Sequence, residues 1–232
     1  MDTRRKFLSF YYEKMETLPE IKLDPKKTAL LFVDLQNQFV LRDFGDALES
    51  QQEGDWERFI PYHDRLDNLV IPNAEKLLKF FRENKMFVTY GRIASLREDG
   101  EDRAPVQKSE GWNNIFVHIN SFAAQMIKEL TPIDDEIVVN KTTDSVTTGT
   151  NYMHLLNNLG VETVVVSGIV TDQCVASTVR GLADGGFKVI CVEDACAAAS
   201  MVHHDAELTI MNMIYCDVLS TNETIETIKK FL

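Results

Sequence analysis

An open, mostly parallel α/β sheet wound on both faces by helices is the fold class this chain predicts, and three observations predict it. Short β-branched apolar runs alternate with amphipathic helical stretches from residue 28 to residue 231. Most of the runs are continuously hydrophobic rather than alternating, as strands covered on both faces are. The 232 residues, 44% of them hydrophobic, suffice for one substantial core and are few for two.

Met1–Asp24 stands outside this rhythm as an extra helix or arm, and residues 25–232 form the single domain. The first strand is Thr28–Asp34. Leu41–Asn68, polar and acidic with Trp56 and Tyr62 inside it, is an insertion of the length expected of a lid or an oligomer contact. Ile71–Asn84 reads as a helix with Leu77, Leu78, Phe80 and Phe81 on one side, leading to a second strand at Met86–Arg92. A helix at Phe122–Leu130 precedes the third strand, Glu136–Asn140. Thr150–Asn158 is helical and stops at Gly160, a suitable C′ residue. The remaining elements are strand Thr163–Ser167, helix Asp172–Asp184, strand Phe187–Val192, helix His204–Tyr215, a weaker strand Asp217–Ser220 and helix Glu223–Phe231. Right-handed crossovers assemble these into a doubly wound, six-stranded, Rossmann-like sheet.

The net charge of −12 gives no electrostatic footprint for nucleic acid. No window approaches the roughly 18 apolar residues that span a bilayer, and Met1–Lys14 lacks the apolar core of a signal peptide. The four cysteines, Cys174, Cys191, Cys196 and Cys216, form no C-x-x-C pair and suit reduced thiols. A cytoplasmic protein with no nucleic-acid or membrane partner is the expectation.

In such a sheet, ligands bind beyond the carboxyl ends of the strands where strand order reverses. Three polar residues sit there: Asp34 ends the first strand, Lys141 follows the third, and Cys174 opens the helix after the fourth. A thiol in a first helical turn faces free N–H groups and the positive end of the helix dipole, which lowers its pKa. The same N–H groups suit an oxyanion. Cys191, Cys196 and Cys216 read as small buried hydrophobes. Asp34 alone is equally a turn residue and Lys141 alone a surface lysine, but acid, ammonium and thiol together make a workable acyl-transfer set.

FVDLQNQF, VVNKTTDS with Thr150, and SGIVTDQCVASTVRGLADGGFKV followed by VEDACAA resemble the isochorismatase-like cysteine hydrolase family, over roughly Thr28 to Tyr215. The resemblance implies Asp34 as general base and acid, Lys141 as charged partner and Cys174 as nucleophile. It implies a cis peptide between Ile169 and Val170, with the Val170 and Cys174 N–H groups forming the oxyanion hole. It also implies a homodimer or homotetramer. The family includes nicotinamidases, N-carbamoylsarcosine amidases, ureidoacrylate, biuret and triuret hydrolases, and maleamate amidases.

Departures from the pattern narrow the expectation. The Asp-x-His-Pro metal motif of nicotinamidases is replaced by Gly91, Arg92, Ile93, Ala94, Ser95, so no metal and no cofactor is expected. Cys174 argues against isochorismate hydrolysis, since the siderophore-branch enzymes lack that cysteine. Ser145 is followed by Val146, Thr147 and Thr148 rather than an aromatic residue, a compact polar wall that suits a ureide. Gln38, Phe39, Arg92, Thr147 and Ile169 are the candidate substrate-binding residues, with Trp112 and Asn113 as further candidates for the pocket wall. Arg92 either holds a substrate carboxylate or makes an ordinary ion pair. His203 and His204 read as surface or interface residues, and Asp194 as a loop-ordering one. The leading expectation is a cysteine amidohydrolase for a small linear amide or ureide, biuret, triuret or N-carbamoyl in type. The alternatives are a maleamate-type or nicotinamide-type amidase, an isochorismatase, a thiol redox protein and a non-catalytic binding module.

Overall fold

The computed structural model describes residues 2–111 and 114–232; Trp112 and Asn113 lie outside the described residues. Six strands form the sheet: β1 (Thr28–Val33), β2 (Phe87–Ile93), β3 (Ile137–Lys141), β4 (Thr163–Ile169), β5 (Lys188–Ala197) and β6 (Asp217–Leu219). Their order is β3-β2-β1-β4-β5-β6 and every pairing is parallel. The chain winds outward from β1 to β3 and then restarts at β4 on the other side of β1. That reversal opens a crevice at the carboxyl ends of β1 and β4.

Burial on both faces explains the continuous apolar runs. Along β1, Leu30 and Phe32 pack with Val88, Tyr90 and Val165 beneath helices α5 (Ile71–Glu83) and α9 (Thr221–Lys229). Ala29, Leu31 and Val33 point the other way, onto Val164 and Val166 beneath α6 (Tyr152–Asn158), α7 (Ala176–Asp184) and α8 (Met201–Met211). Successive side chains alternate faces, and here both faces are dry. No helix among the described residues is long and apolar enough to cross a membrane.

The expected helix at Phe122–Leu130 does not form; only Lys128–Leu130 makes a 3-10 turn. The segment instead bonds to the chain leaving β1. Asn37 N–H donates to Gln125 O (2.9 Å), Gln38 N–H to Ala123 O (3.1 Å) and Ile127 N–H to Leu35 O (3.0 Å). These tertiary bonds satisfy the backbone groups that a helix would have satisfied internally.

Residues 2–24 form an arm rather than a helix, with one short helical turn, α1 (Thr3–Lys6). It clasps the last strand and helix. Thr3 N–H donates to Glu223 Oε1 (3.0 Å), Arg4 pairs with Asp217 (3.2 Å), and Asn212 Nδ2 donates to Arg4 O (2.8 Å). After the short helix α2 (Asn37–Val40), the 41–68 insertion folds into α3 (Gly45–Glu53) and α4 (Ile60–Arg65). The latter runs through a π-helical turn, Leu66–Val70, into α5.

At the reversal point Val33 of β1 is in register with Gly168 of β4. Gly168 has φ +137°, and a Cβ there would sit 2.1 Å from Val33 O. Gly168→Ala is therefore expected to cost about 3 kcal/mol or more, from strain and displaced backbone together. A guanidinium unfolding curve measures this; a variant of wild-type stability would mean that the strand ends are not held as described.

Candidate active site

Asp34 leaves β1 in the left-handed region (φ 54°) and is pinned there by the end of β2. Its N–H donates to Gly91 O (2.9 Å), and its Oδ1 accepts the Ile93 N–H (3.0 Å). The fully buried Gln36 reinforces this junction, with Nε2 donating to Ile93 O (2.9 Å) and Ala124 O (3.2 Å) and Oε1 accepting the Ile93 N–H (2.8 Å). Lys141 is the last residue of β3, on the far side of β2. Its Nζ donates to Asp34 Oδ2 (2.7 Å), Thr143 O (3.2 Å) and Cys174 Sγ (3.6 Å). Those three contacts match the three hydrogens of an ammonium. Cys174 lies in a π-helical turn, Thr171–Val175, that opens α7, and Lys141 Nζ thus touches both its sulfur and the Asp34 carboxylate. Only 2% of Asp34, 1% of Lys141 and 6% of Cys174 is exposed.

Asp34 and Cys174 reach a cavity of about 650 Å³. Gln38, Phe39, Ile169 and Val170 line it as expected, and the Ile169–Val170 peptide is cis. The insertion supplies one wall through Asp46, Ser50, Tyr62 and His63.

Two of the candidate residues do not line this cavity. Strand parity turns Arg92 away while Ile93 faces inward. The guanidinium instead donates to Asn140 Oδ1 (2.6 Å), Ala124 O (3.2 Å) and Gln125 Oε1 (3.1 Å). Thr147 packs against α7, where an added Cβ on Gly181 would meet its Oγ1 at 2.1 Å, and it bonds to Ser145 Oγ at 2.7 Å.

His204, expected at the surface or an interface, is fully buried beside the Thr171–Val175 turn, whereas His203 is exposed. Arg65 Nη2 lies 3.0 Å from His204 Nε2, and His204 Nδ1 lies 2.8 Å from Thr171 Oγ1. A guanidinium only donates, so Nε2 accepts and Nδ1–H donates to Thr171. Burial and the Arg65 charge hold His204 below the usual histidine range, which favours this neutral tautomer. Asp194, expected to order a loop after the fifth strand, lies within β5 and ties it to the start of α9: its Oδ1 accepts both the N–H and the hydroxyl of Thr221, each at 2.7 Å.

The electrostatics depart from the helix-terminus expectation. Burial raises the Cys174 thiol well above the ordinary range, and the Asp34 charge adds to it; Lys141 offsets only part. Burial likewise raises Asp34, against the pull of Lys141. Burial works against the Lys141 ammonium, but the Asp34 and Cys174 charges more than compensate and raise it overall. The 2.7 Å contact with the Lys141 ammonium favours the carboxylate form of Asp34, which makes Asp34 the proton acceptor beside a thiol that burial keeps neutral.

A sign follows from this. Asp34→Asn removes a charge that raises the Cys174 pKa and leaves the ammonium to favour a thiolate. Absorbance titration at 240 nm should find the thiolate of the variant forming at lower pH than in wild type. Turnover, deprived of its base, should fall on the order of 10³-fold. A thiol pKa that rises or stays put would refute the charge assignment.

Residues 28–223 match the Isochorismatase domain family. The chain is 27% identical over 209 residues to an uncharacterized isochorismatase family protein of Bacillus subtilis, YwoC, covering 90% of this chain and 98% of that one. It is 27% identical over 127 residues to the maleamate amidohydrolase of Pseudomonas putida, covering 55% of this chain and 56% of that one. The fold is similar to the crystal structure of N-carbamoylsarcosine amidase from Thermoplasma acidophilum, with TM-score 0.63, 23% identity, and coverage of 84% of this chain and 97% of that one. By the extent of these matches, and by a parallel sheet of matching form, the chain belongs to the isochorismatase family.

Proposed function

We propose that this protein is a cysteine-dependent amidohydrolase that cleaves a C–N bond of a small linear amide or ureide through a thioester. The observation that carries this reading is the contact of Lys141 with both Asp34 and Cys174, with acid and thiol lining one cavity. Asp34 takes the thiol proton as Sγ attacks the carbonyl carbon, and the Val170 and Cys174 N–H groups receive the oxyanion. Asp34 returns the proton to the departing nitrogen, so ammonia or an amine leaves and a thioester remains. A water, deprotonated by Asp34, then attacks the thioester; the proton passes back to sulfur and the acid product is released. Lys141 stays charged throughout and keeps Asp34 ionised between proton transfers. These steps use side chains, backbone amides and water.

The placement of Arg92 favours a ureide or N-carbamoyl compound without a carboxylate over a maleamate-type monocarboxylate. No Lys or Arg is among the described residues lining the cavity, so no side chain there is suited to pair with a carboxylate. The amidase names of the two relatives agree with C–N cleavage as the reaction class.

Ammonia release from biuret, triuret, an N-carbamoyl amino compound and maleamate tests the reading. Cys174→Ser should lose on the order of 10³-fold or more of the turnover while keeping the wild-type fold by circular dichroism. A chelator should leave the rate unchanged. Undiminished hydrolysis by a clean Cys174→Ser preparation would remove sulfur from the mechanism.

A further inference from the structure

The cavity has a second set of polar groups, supplied by the insertion and separate from the reacting trio. Asp46, Glu49, Ser50 and Glu53 all line it, and their spacing of i, i+3, i+4 and i+7 puts them on one face of α3. Asp46 is half-buried, with Oδ1 accepting from Gln38 Nε2 at 2.7 Å, while Glu49 and Glu53 are exposed on α3. Asp46 makes no ion pair with a described residue. Asp55, also lining the cavity, is already matched by Ser50 and Arg58.

A second, independent feature marks this wall. Tyr62 of α4 is only 7% exposed and lines the same cavity, yet its hydroxyl has no hydrogen-bond partner among the described residues. Burial and the charges of Asp46, Asp172, Asp34 and Cys174 raise its phenol pKa, and α3 carboxylates and the reacting acid and thiol line the same cavity. His63 beside it is 2% exposed, with Nδ1 unpartnered. Buried polar groups of this kind are ordinarily satisfied, so their lack of partners points to a ligand that brings them. Among the described residues no cation pairs with Asp46, Glu49 or Glu53: Lys141 has its three hydrogens committed, Arg58 pairs with Asp55, and burial and the Arg42 charge depress the His63 pKa.

We infer that the wall formed by Asp46, Tyr62 and the α3 carboxylates is a subsite for a cationic nitrogen group, so that the substrate is a small amide or ureide with an ammonium, amidinium or guanidinium at its other end. The reacting carbonyl lies at Cys174 while the charged end lies at Asp46, with N–H groups donating to Asp46 Oδ2 and the Tyr62 oxygen. Glu49 and Glu53 draw a cation toward the opening and repel a carboxylate. This inference rests on the amidohydrolase reading for the chemistry, but its recognition half can be read without turnover.

Three probes of similar length separate the possibilities: 4-aminobutanamide (cationic), butanamide (neutral) and succinamate (anionic). In ammonia-release assays kcat/KM should rank cationic above neutral above anionic, with about tenfold or more between the first two. Asp46→Asn, which retains an acceptor for Gln38, should reduce the cationic-to-neutral ratio by about tenfold, and Tyr62→Phe should reduce it in the same direction. Calorimetric binding of the same probes to Cys174→Ser protein gives a readout free of catalysis. Cation-selective binding with no turnover by wild type would uphold the subsite and overturn the hydrolase reading. Turnover without cation preference, or a preference for succinamate, would overturn the subsite and leave the hydrolase reading standing. Binding that is equal for all three probes, with or without turnover, also overturns the subsite.

Discussion

The Asp34–Lys141 ion pair is the constraint around which the carboxyl end of the sheet is arranged. Both charges are almost wholly shielded from water, and a buried charge without its partner costs several kcal/mol. The fold meets that cost with more than the pair itself. The Ile93 amide donates to the carboxylate and the Thr143 carbonyl accepts from the ammonium. Because the two residues come from β1 and β3, the strand between them must end in register for the pair to meet, and Gln36 clamps that strand end. The pair is neutral overall, so it gives the neighbouring thiol little reason to ionise at rest. In the proposed mechanism sulfur becomes nucleophilic only as its proton moves to Asp34, a coupling that would protect a buried thiol from adventitious chemistry.

Work is divided between two parts of the chain. Strand ends, held by the parallel ladder, supply the groups that must meet within a few tenths of an ångström. The insertion supplies the groups that face whatever lies farther from the sulfur. This is the usual partition between a rigid scaffold and variable loops. Here the insertion is itself helical, so its polar groups are spaced by the helix repeat rather than by loop conformation.

Much of this was legible in the sequence. Continuous apolar runs gave the strands to within a few residues, because sidedness is absent when both faces are covered. Asp34, Lys141 and Cys174 stood out as polar groups where such runs stop. What escaped depended on tertiary detail. Ending β2 at Arg92 instead of Ile93 shifted the expected inward residue by one place, and in a strand one place is the opposite face. Phe122–Leu130 carries a helix-compatible pattern, but the chain leaving β1 took its backbone hydrogen bonds. The thiol was expected to ionise easily at a helix terminus, and the depth of its burial, which no local pattern reveals, reversed the direction. His204 had no local signal either, since a His-His pair at a helix start looks like surface.

Arg65 sits at the last turn of α4 and touches His204, which in turn touches Thr171 three residues before Cys174. It also donates to the Cys196 and Glu193 carbonyls on β5. The inner half of the insertion is thereby riveted to the turn that carries the sulfur, while among the described residues α3 has no comparable tie to β5 or to that turn. Sequence drift in α3 can therefore retune what the cavity admits while the chemistry stays intact, whereas drift in α4 reaches the reacting atom through one imidazole. Within this one insertion, the outer helix is free to diversify and the inner one is not.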